Sequence, residues 1–269
     1  MFTWLREKIS DYIIGYLQRP VWKYEPFSIT SPQILERHLR PGDVLLVEGN
    51  QRVSNIIKYL TQSTWSHAAL YIGPDQNTPD ASAGAALSLN LIEAEADGGV
   101  KCVSLNKYKH FNTRICRPAS LSEAEKQQVI AYARKRIGQQ YDMKNIVDLA
   151  RYLFPYPPVP VFLRRRMLAI GSGDPTRAIC STLIAQAFQS VRYPILPTVT
   201  RQCVDSGSAK YILREIYHIR NYNLFTPRDF DLSPYFAVIK PTLESGFDHT
   251  AINWGQTTPY DTPDGSDAE

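Results

Sequence analysis

Two stretches with a strict two-residue period constrain this chain more than anything else in it. Between Ser66 and Ile72, His67, Ala69 and Tyr71 share one face and Ala68, Leu70 and Ile72 the other, until Gly73-Pro74 ends the run. Leu89–Glu95 alternates again, with Leu89, Leu91, Glu93 and Glu95 on one side and Asn90, Ile92 and Ala94 on the other. Asp97-Gly98-Gly99 then supplies hairpin-turn chemistry into a third run at 100–105. Upstream, Arg40-Pro41-Gly42-Asp43 is a turn, and the apolar run Val44–Val47 behind it reads as a buried strand. The pattern predicts a small antiparallel sheet.

Helical spacing surrounds these strands. A short helix is expected over 53–60. Ser122 and Glu125 have capping-box spacing, and Val129, Ala133 and Ile137 continue a stripe that ends at Gly138. From Cys180 to Phe188 the pairs Leu183, Ala187 and Ile184, Phe188 mark another helix, with Cys180 near its start, and 235–240 reads as the last strand. Residues 74–88 have no period and read as a surface loop. In 152–170, four prolines among Tyr152, Phe154, Tyr156 and Phe162 exclude one regular helix, and Arg164-Arg165-Arg166 closes the aromatic part. The fold class is therefore α+β, a small antiparallel sheet packed by helices. A 269-residue chain with 43% apolar and 21% charged residues buries a real core and is not a disordered polymer.

The N-terminal stretch is amphipathic: Phe2, Leu5, Ile9, Ile13, Tyr16 and Leu17 recur at helical spacing, Trp4 sits beside them, and Pro20 ends the helix. It either packs on the domain or lies in a membrane interface. Arg6, Glu7, Lys8 and Asp11 break any apolar signal core, so a cleaved signal is not expected. No apolar run approaches the ~18 to 20 residues of a spanning helix. Charge is asymmetric, since all 30 Lys and Arg but only 20 of the 26 acids lie in residues 1–240, a formal +10 that the net +4 conceals. Such a body meets anionic lipid more readily than nucleic acid, for which the interleaved basic and aromatic motifs are missing. Arg164, Arg165 and Arg166 are either a solvated run or, with Trp4 and the helix, a contact for an anionic membrane surface.

Cysteine chemistry comes next. Cys102, Cys116, Cys180 and Cys203 have neither CxxC spacing nor disulfide-scaffold density, which suggests free thiols and a cytoplasmic address. Cys180 alone stands at a loop-to-helix junction, where unpaired N–H groups and the helix dipole favour a thiolate. His67 lies in mid-strand beside small neighbours that leave space for an incoming side chain. Glu93 sits among apolar positions and needs a partner to offset its desolvation. Carboxylate, imidazole and thiol together make the generalised triad. No zinc-ligand spacing is present, so neither metal nor cofactor is expected.

The motifs also resemble a family. Arg40-Pro41-Gly42-Asp43-Val44, then the block from Trp65-Ser66-His67 to Gly73, then Ile92-Glu93-Ala94, Gln140-Tyr141-Asp142 and Ile179-Cys180-Ser181, look like the circularly permuted NlpC-type papain-fold cysteine hydrolases. The similarity is to the YiiX-like members and, more distantly, to lecithin:retinol acyltransferase-like proteins. His67 and Glu93 precede Cys180, the permuted order.

The resemblance implies Cys180 as nucleophile, His67 as general base and then acid, and Glu93 as the residue orienting the imidazole, with Glu95 on the same face as the rival. Tyr141 matches the family's Tyr-Asp and is either an oxyanion donor, a pocket wall or a packed aromatic. Three parts follow: an amphipathic helix and linker at 1–38, a permuted papain-like catalytic domain at 39–240, and an acidic, disordered tail at 241–269. The expected chemistry is amide or ester cleavage, by a hydrolase or acyltransferase, through an acyl-enzyme on Cys180. Its substrate is a lipid, an acylated small molecule or a cell-wall-derived peptide. The expected place is the cytoplasm, at most peripheral on the inner face of the membrane. A non-catalytic, membrane-associated lipid-binding protein that keeps the pocket is the alternative, and an intact Cys, His and Glu set argues against it.

Overall fold

The computed structural model describes residues 15–21, 26, 30–73, 89–95, 98–139, 179–205 and 211–252, with backbone alone for residue 179 and for 201–215. Among the described residues eight strands form two sheets. β1 (Val44–Val47), β2 (His67–Tyr71), β3 (Leu89–Glu95), β4 (Gly99–Ser104), β5 (Thr113–Pro118) and β8 (Phe236–Ile239) make one antiparallel sheet in the order β4-β3-β2-β1-β5-β8. β6 (Thr198–Asp205) and β7 (Tyr211–His218) form a separate hairpin. The helices are α1 (Pro32–His38), α2 (Arg52–Thr61), α3 (Glu123–Arg134), α4 (Ile179–Ser190), α5 (Pro227–Asp231) and α6 (Pro241–Glu244). Among the described residues no helix is long and apolar enough to cross a membrane.

The alternation read from the sequence divides the core into two layers. Val44, Leu46, Ala68, Leu70, Ile92 and Ala94 pack with Val129 and Ala133 of α3 and with Leu183, Ile184, Ala187 and Phe188 of α4. On the other face Leu45, Val47, Ala69, Tyr71 and Leu91 meet Leu35 and Leu39 from the α1 segment and Leu105 and Tyr108 from a 3₁₀ turn at Leu105–Tyr108. Neighbouring strand positions thus serve opposite layers. The sheet is buried on both sides.

The Arg-Pro-Gly-Asp turn is a structural device. Gly42, at φ 93°, occupies the left-handed region that suits glycine, and its N–H donates to the Tyr71 carbonyl at 2.8 Å while the Tyr71 N–H donates to the Asp43 carbonyl. Asp43 is buried and accepts from Arg117 Nε at 3.0 Å, from Arg117 Nη2 at 2.8 Å and from the Arg40 N–H at 2.8 Å. Burial still pushes its carboxyl above the ordinary carboxylate range, against the pull of Arg117. The pair joins β1 to β5 and carries a desolvation cost.

Several expectations change. The Ser122–Glu125 capping box is present, but α3 ends at Arg134 rather than at Gly138. Its last residues close by i→i−3 bonds, Arg136 N–H to Ala133 and Ile137 N–H to Arg134, so Ile137 leaves the stripe and is 44% exposed. The tail does not lose order at 241: Pro241 opens α6, and His249–Ala251 makes a 3₁₀ turn under an Asp248 cap. Proline at the first helical position and an Asx cap give these few residues local structure without a core. Only residues 15–21 of the expected N-terminal helix are described. There Leu17 is buried, Tyr16 lies under the Arg52 guanidinium at 4.1 Å, and Val21 donates to Asn50. Trp4, residues 74–88, Tyr141 and Arg164–Arg166 lie outside the described residues.

Asp43→Asn leaves the part-buried Arg117 without its carboxylate. The expected loss is about 3 kcal/mol of stability, read as a lower urea midpoint at unchanged slope. A loss below about 0.5 kcal/mol would show that the turn is held without this pair.

Candidate active site

β2 is entered through a braced corner. Trp65 is buried, its indole N–H donates to Asp231 at 3.1 Å, and Arg114 both stacks on the ring at 4.9 Å and pairs with Asp231 at 2.6 Å. Ser66 Oγ accepts from the Gly49 N–H at 2.9 Å, and a Cβ on Gly49 would stand 2.3 Å from Ser54 Oγ, so only glycine fits this approach. These contacts fix the residue that follows, His67.

The ladder between β2 and β3 is what opens the site. It pairs Leu70 with Ile92 and Tyr71 with Leu91 and goes no further. The Ile72 N–H still points to this side and donates to Asn90 at 2.9 Å, and by the two-residue period the N–H groups of Leu70 and Ala68 point the same way. Ala68 lies past the last paired residue. Its N–H goes instead to the sulfur of Cys180.

Cys180 is the second residue of α4, in the first turn, where helical N–H groups have no intrahelical acceptor and the dipole is positive. It is only 5% exposed. Its thiol interacts with His67 and with Ser181 Oγ, the latter at 3.9 Å. His67 Nε2 meets Glu93 Oε2 at 3.0 Å. With Nε2 so engaged, Nδ1 is the ring nitrogen left for the thiol. Thiol, imidazole and carboxylate stand in one line, and Glu93, not Glu95, completes it.

Two groups absent from the sequence reading complete the carboxylate's surroundings. Glu93 is fully buried. Tyr108 Oη donates to Oε2, Lys107 Nζ donates to Oε1, and Lys107 also reaches Glu95, which Lys101 holds at 2.5 Å. The 3₁₀ turn brings Lys107 and Tyr108 in. Ser104 caps that turn, and Asn90 of β3 ties it down by accepting the Leu105 N–H at 3.0 Å. The Tyr108 ring also packs 6.1 Å from the imidazole. In the sequence, Ser104 two residues before Asn106 was the available signal, an ordinary turn cap that does not announce a site.

Electrostatics follow from this geometry. Burial opposes charge on His67, but the charge and hydrogen bond of Cys180, reinforced by Glu93, outweigh it and raise the imidazole pKa to about 10. Burial likewise opposes the thiolate, and His67, the Ala68 N–H and Ser181 nevertheless bring the Cys180 pKa below the ordinary thiol value. Glu93 is held well below the carboxylate range, against its burial, by His67 and Lys107. Burial and the Glu93 charge together keep Tyr108 protonated far above its usual pKa. Together these interactions favour a thiolate–imidazolium pair backed by a carboxylate. Cys116, by contrast, is buried, and that burial pushes its thiol up. Among the described residues no group of three or more His, Cys, Asp or Glu side chains is placed to hold a metal ion.

The imidazolium of His67 should persist to about pH 10. Removing the carboxylate charge with Glu93→Gln should lower this pKa by about one unit or more, because an adjacent anion favours the protonated ring. Glu95→Gln should move it far less. Histidine NMR titration of both variants checks this, and equal shifts would contradict the assignment of Glu93 as the ring's partner.

Residues 38–153 match the family described as permuted papain-like amidase enzyme, YaeF/YiiX, C92 family. His67 and Glu93 fall inside that stretch, and Cys180 lies beyond it. The chain is 26% identical over 184 residues to the probable lipoprotein peptidase YaeF of Escherichia coli K12, a match spanning 62% of this chain and 60% of that relative's length. A crystal structure of metalloprotein yiiX from Escherichia coli O157:H7 is similar with a TM-score of 0.42 and 14% identity, covering 75% of this chain and 96% of that one. Over residues 38–153 the chain is thus similar to the YaeF/YiiX family of permuted papain-like amidases, and its mixed helices and antiparallel sheet are consistent with that fold.

Proposed function

We propose that this protein is a cysteine hydrolase that cleaves an amide bond through an acyl-enzyme on Cys180. The observation that carries the reading is the line from the Cys180 thiol through His67 to the buried Glu93, charged in the sense that nucleophilic catalysis needs. In the first step the thiolate attacks the carbonyl carbon, and the π electrons move to the oxygen. N–H groups of the first turn of α4 face the growing oxyanion. The imidazolium gives its proton to the leaving nitrogen, the C–N bond breaks, and a thioester remains on Cys180. His67, now neutral, takes a proton from water, the hydroxide displaces the thiolate, and the carboxylic acid leaves. Glu93 keeps the ring oriented and stabilises its charge without itself accepting the proton.

For the substrate, we favour a peptide amide in an acylated or cell-wall-derived molecule. The family description as amidase and the relative's name as a lipoprotein peptidase support the amide. The formal +10 of residues 1–240 supports an anionic, lipid-bearing surface as the place where it is met. Ester, thioester and acyl-transfer chemistry use the same three residues, and the nucleophile competing with water would decide among them.

Cys180 should alkylate with iodoacetamide faster than Cys102, Cys116 or Cys203 at neutral pH, and His67→Ala should slow that labelling and abolish turnover. Turnover should fall on the alkaline side near pH 10, where His67 loses the proton it must donate. Peptide mapping of limited labelling and a pH–rate profile check both. Faster labelling of another cysteine, or undiminished turnover in folded His67→Ala, would overturn the assignment.

A further inference from the structure

α4 has a second chemically distinctive end. Nine residues beyond Cys180, about 13 Å along the helix axis, a cavity of about 390 Å³ lies between the end of α4, the segment at 193–197 and the end of β7. Its size is that of a small-molecule site, for which ~300 to 1,000 Å³ is usual. Tyr193, Pro194, Ile195, Pro197 and Phe225 make its walls largely apolar, while Arg192 and Arg220 also line it with no Asp or Glu among the lining residues.

The two arginines differ. Arg220 is fixed: it stacks on Phe225 at 4.9 Å, donates to the Leu196 and Leu224 carbonyls at 3.4 and 3.3 Å, and stands 3.7 Å from Asp229. Arg192 makes no ion pair among the described residues. It also adopts φ 56°, the left-handed conformation that ends a helix and is ordinarily left to glycine. Its N–H donates to Gln189 at 2.9 Å, and the Tyr193 N–H returns to Phe188 at 3.0 Å. A charged side chain thus sits where backbone geometry favours none, at the edge of an apolar cavity. Strained positions of this kind collect at ligand sites. Around the same cavity Tyr217 and Ile219 are 52% and 70% exposed.

We propose that this cavity binds an aliphatic monocarboxylate of medium chain length, with the chain against the Tyr193–Phe225 walls and the carboxylate paired to Arg192. One uncommitted cation matches one negative charge, and the planar guanidinium suits a carboxylate in two-point contact. The cavity stands apart from Cys180, so the ligand binds here without being turned over at this place.

Calorimetric titration of the full chain with decanoate, decanol, acetate and decyl phosphate tests the proposal. Decanoate should bind saturably at one site, and decanol and acetate at least about tenfold more weakly, each lacking one half of the interaction. Cys180→Ser should bind decanoate unchanged, which separates this site from the proposed catalytic one. Arg192→Gly should weaken decanoate by about tenfold while its thermal midpoint stays level or rises, since glycine relieves the left-handed conformation. A merely structural arginine would lower the midpoint and leave affinity unchanged. Equal binding of decanol, tighter binding of decyl phosphate, loss of binding in Cys180→Ser, or no saturable decanoate binding would each overturn it.

Discussion

A carboxylate with no access to water is the constraint around which this site is organised. Glu93 is fully buried in β3, and an isolated carboxylate there would cost several kcal/mol or simply take up a proton. It stays charged because three groups converge on it: the imidazole of His67 from β2, the phenol of Tyr108 and the ammonium of Lys107. The imidazole meets Glu93 with one nitrogen and can hold its proton for the thiol with the other. Burial thus penalises every charge in the line singly, and the line is stable only as a whole. Removing any member leaves a neighbour uncompensated.

Backbone geometry supplies the second half of the device. A sheet whose β2–β3 ladder ran to its end would satisfy the Ala68 N–H with a β3 carbonyl and leave no way in for a helix. Here pairing stops at Leu70 and Ile92, and the sulfur at the start of α4 accepts the spare N–H. A strand end with an N–H left over by the ladder and the positive end of a helix therefore meet at one atom, and both favour its anion. Asp231, far along the chain, holds Trp65 and Arg114 together and so braces the entry to β2 two residues before His67.

Much of this was legible because two periods were clean. Alternation at 66–72 and 89–95 put His67 and Glu93 on one face and the helix-covered residues on the other, as the two core layers show. Cys180 was legible as a helix start. The missed parts lacked such signals. β5, Thr-Arg-Ile-Cys-Arg-Pro, carries two arginines spent on Asp231 and Asp43, and its polar side reads as surface until those partners are known. α1 is only seven residues long, and the β6–β7 hairpin mixes charged and apolar positions. Lys107 and Tyr108 could not be assigned because they reach Glu93 through a 3₁₀ turn, where side-chain direction follows no strand period.

The account stands or falls on a covalent bond to one sulfur. Intact mass measurement of the protein, quenched in acid within its first turnovers on N-acylated peptides and acyl-lipids, reads that bond directly. The account predicts a mass gain equal to the substrate's acyl portion, labile to hydroxylamine, mapped to Cys180 and absent from Cys180→Ser. Hydrolysis that proceeds undiminished in Cys180→Ser, with no adduct at any time in the native chain, would contradict it.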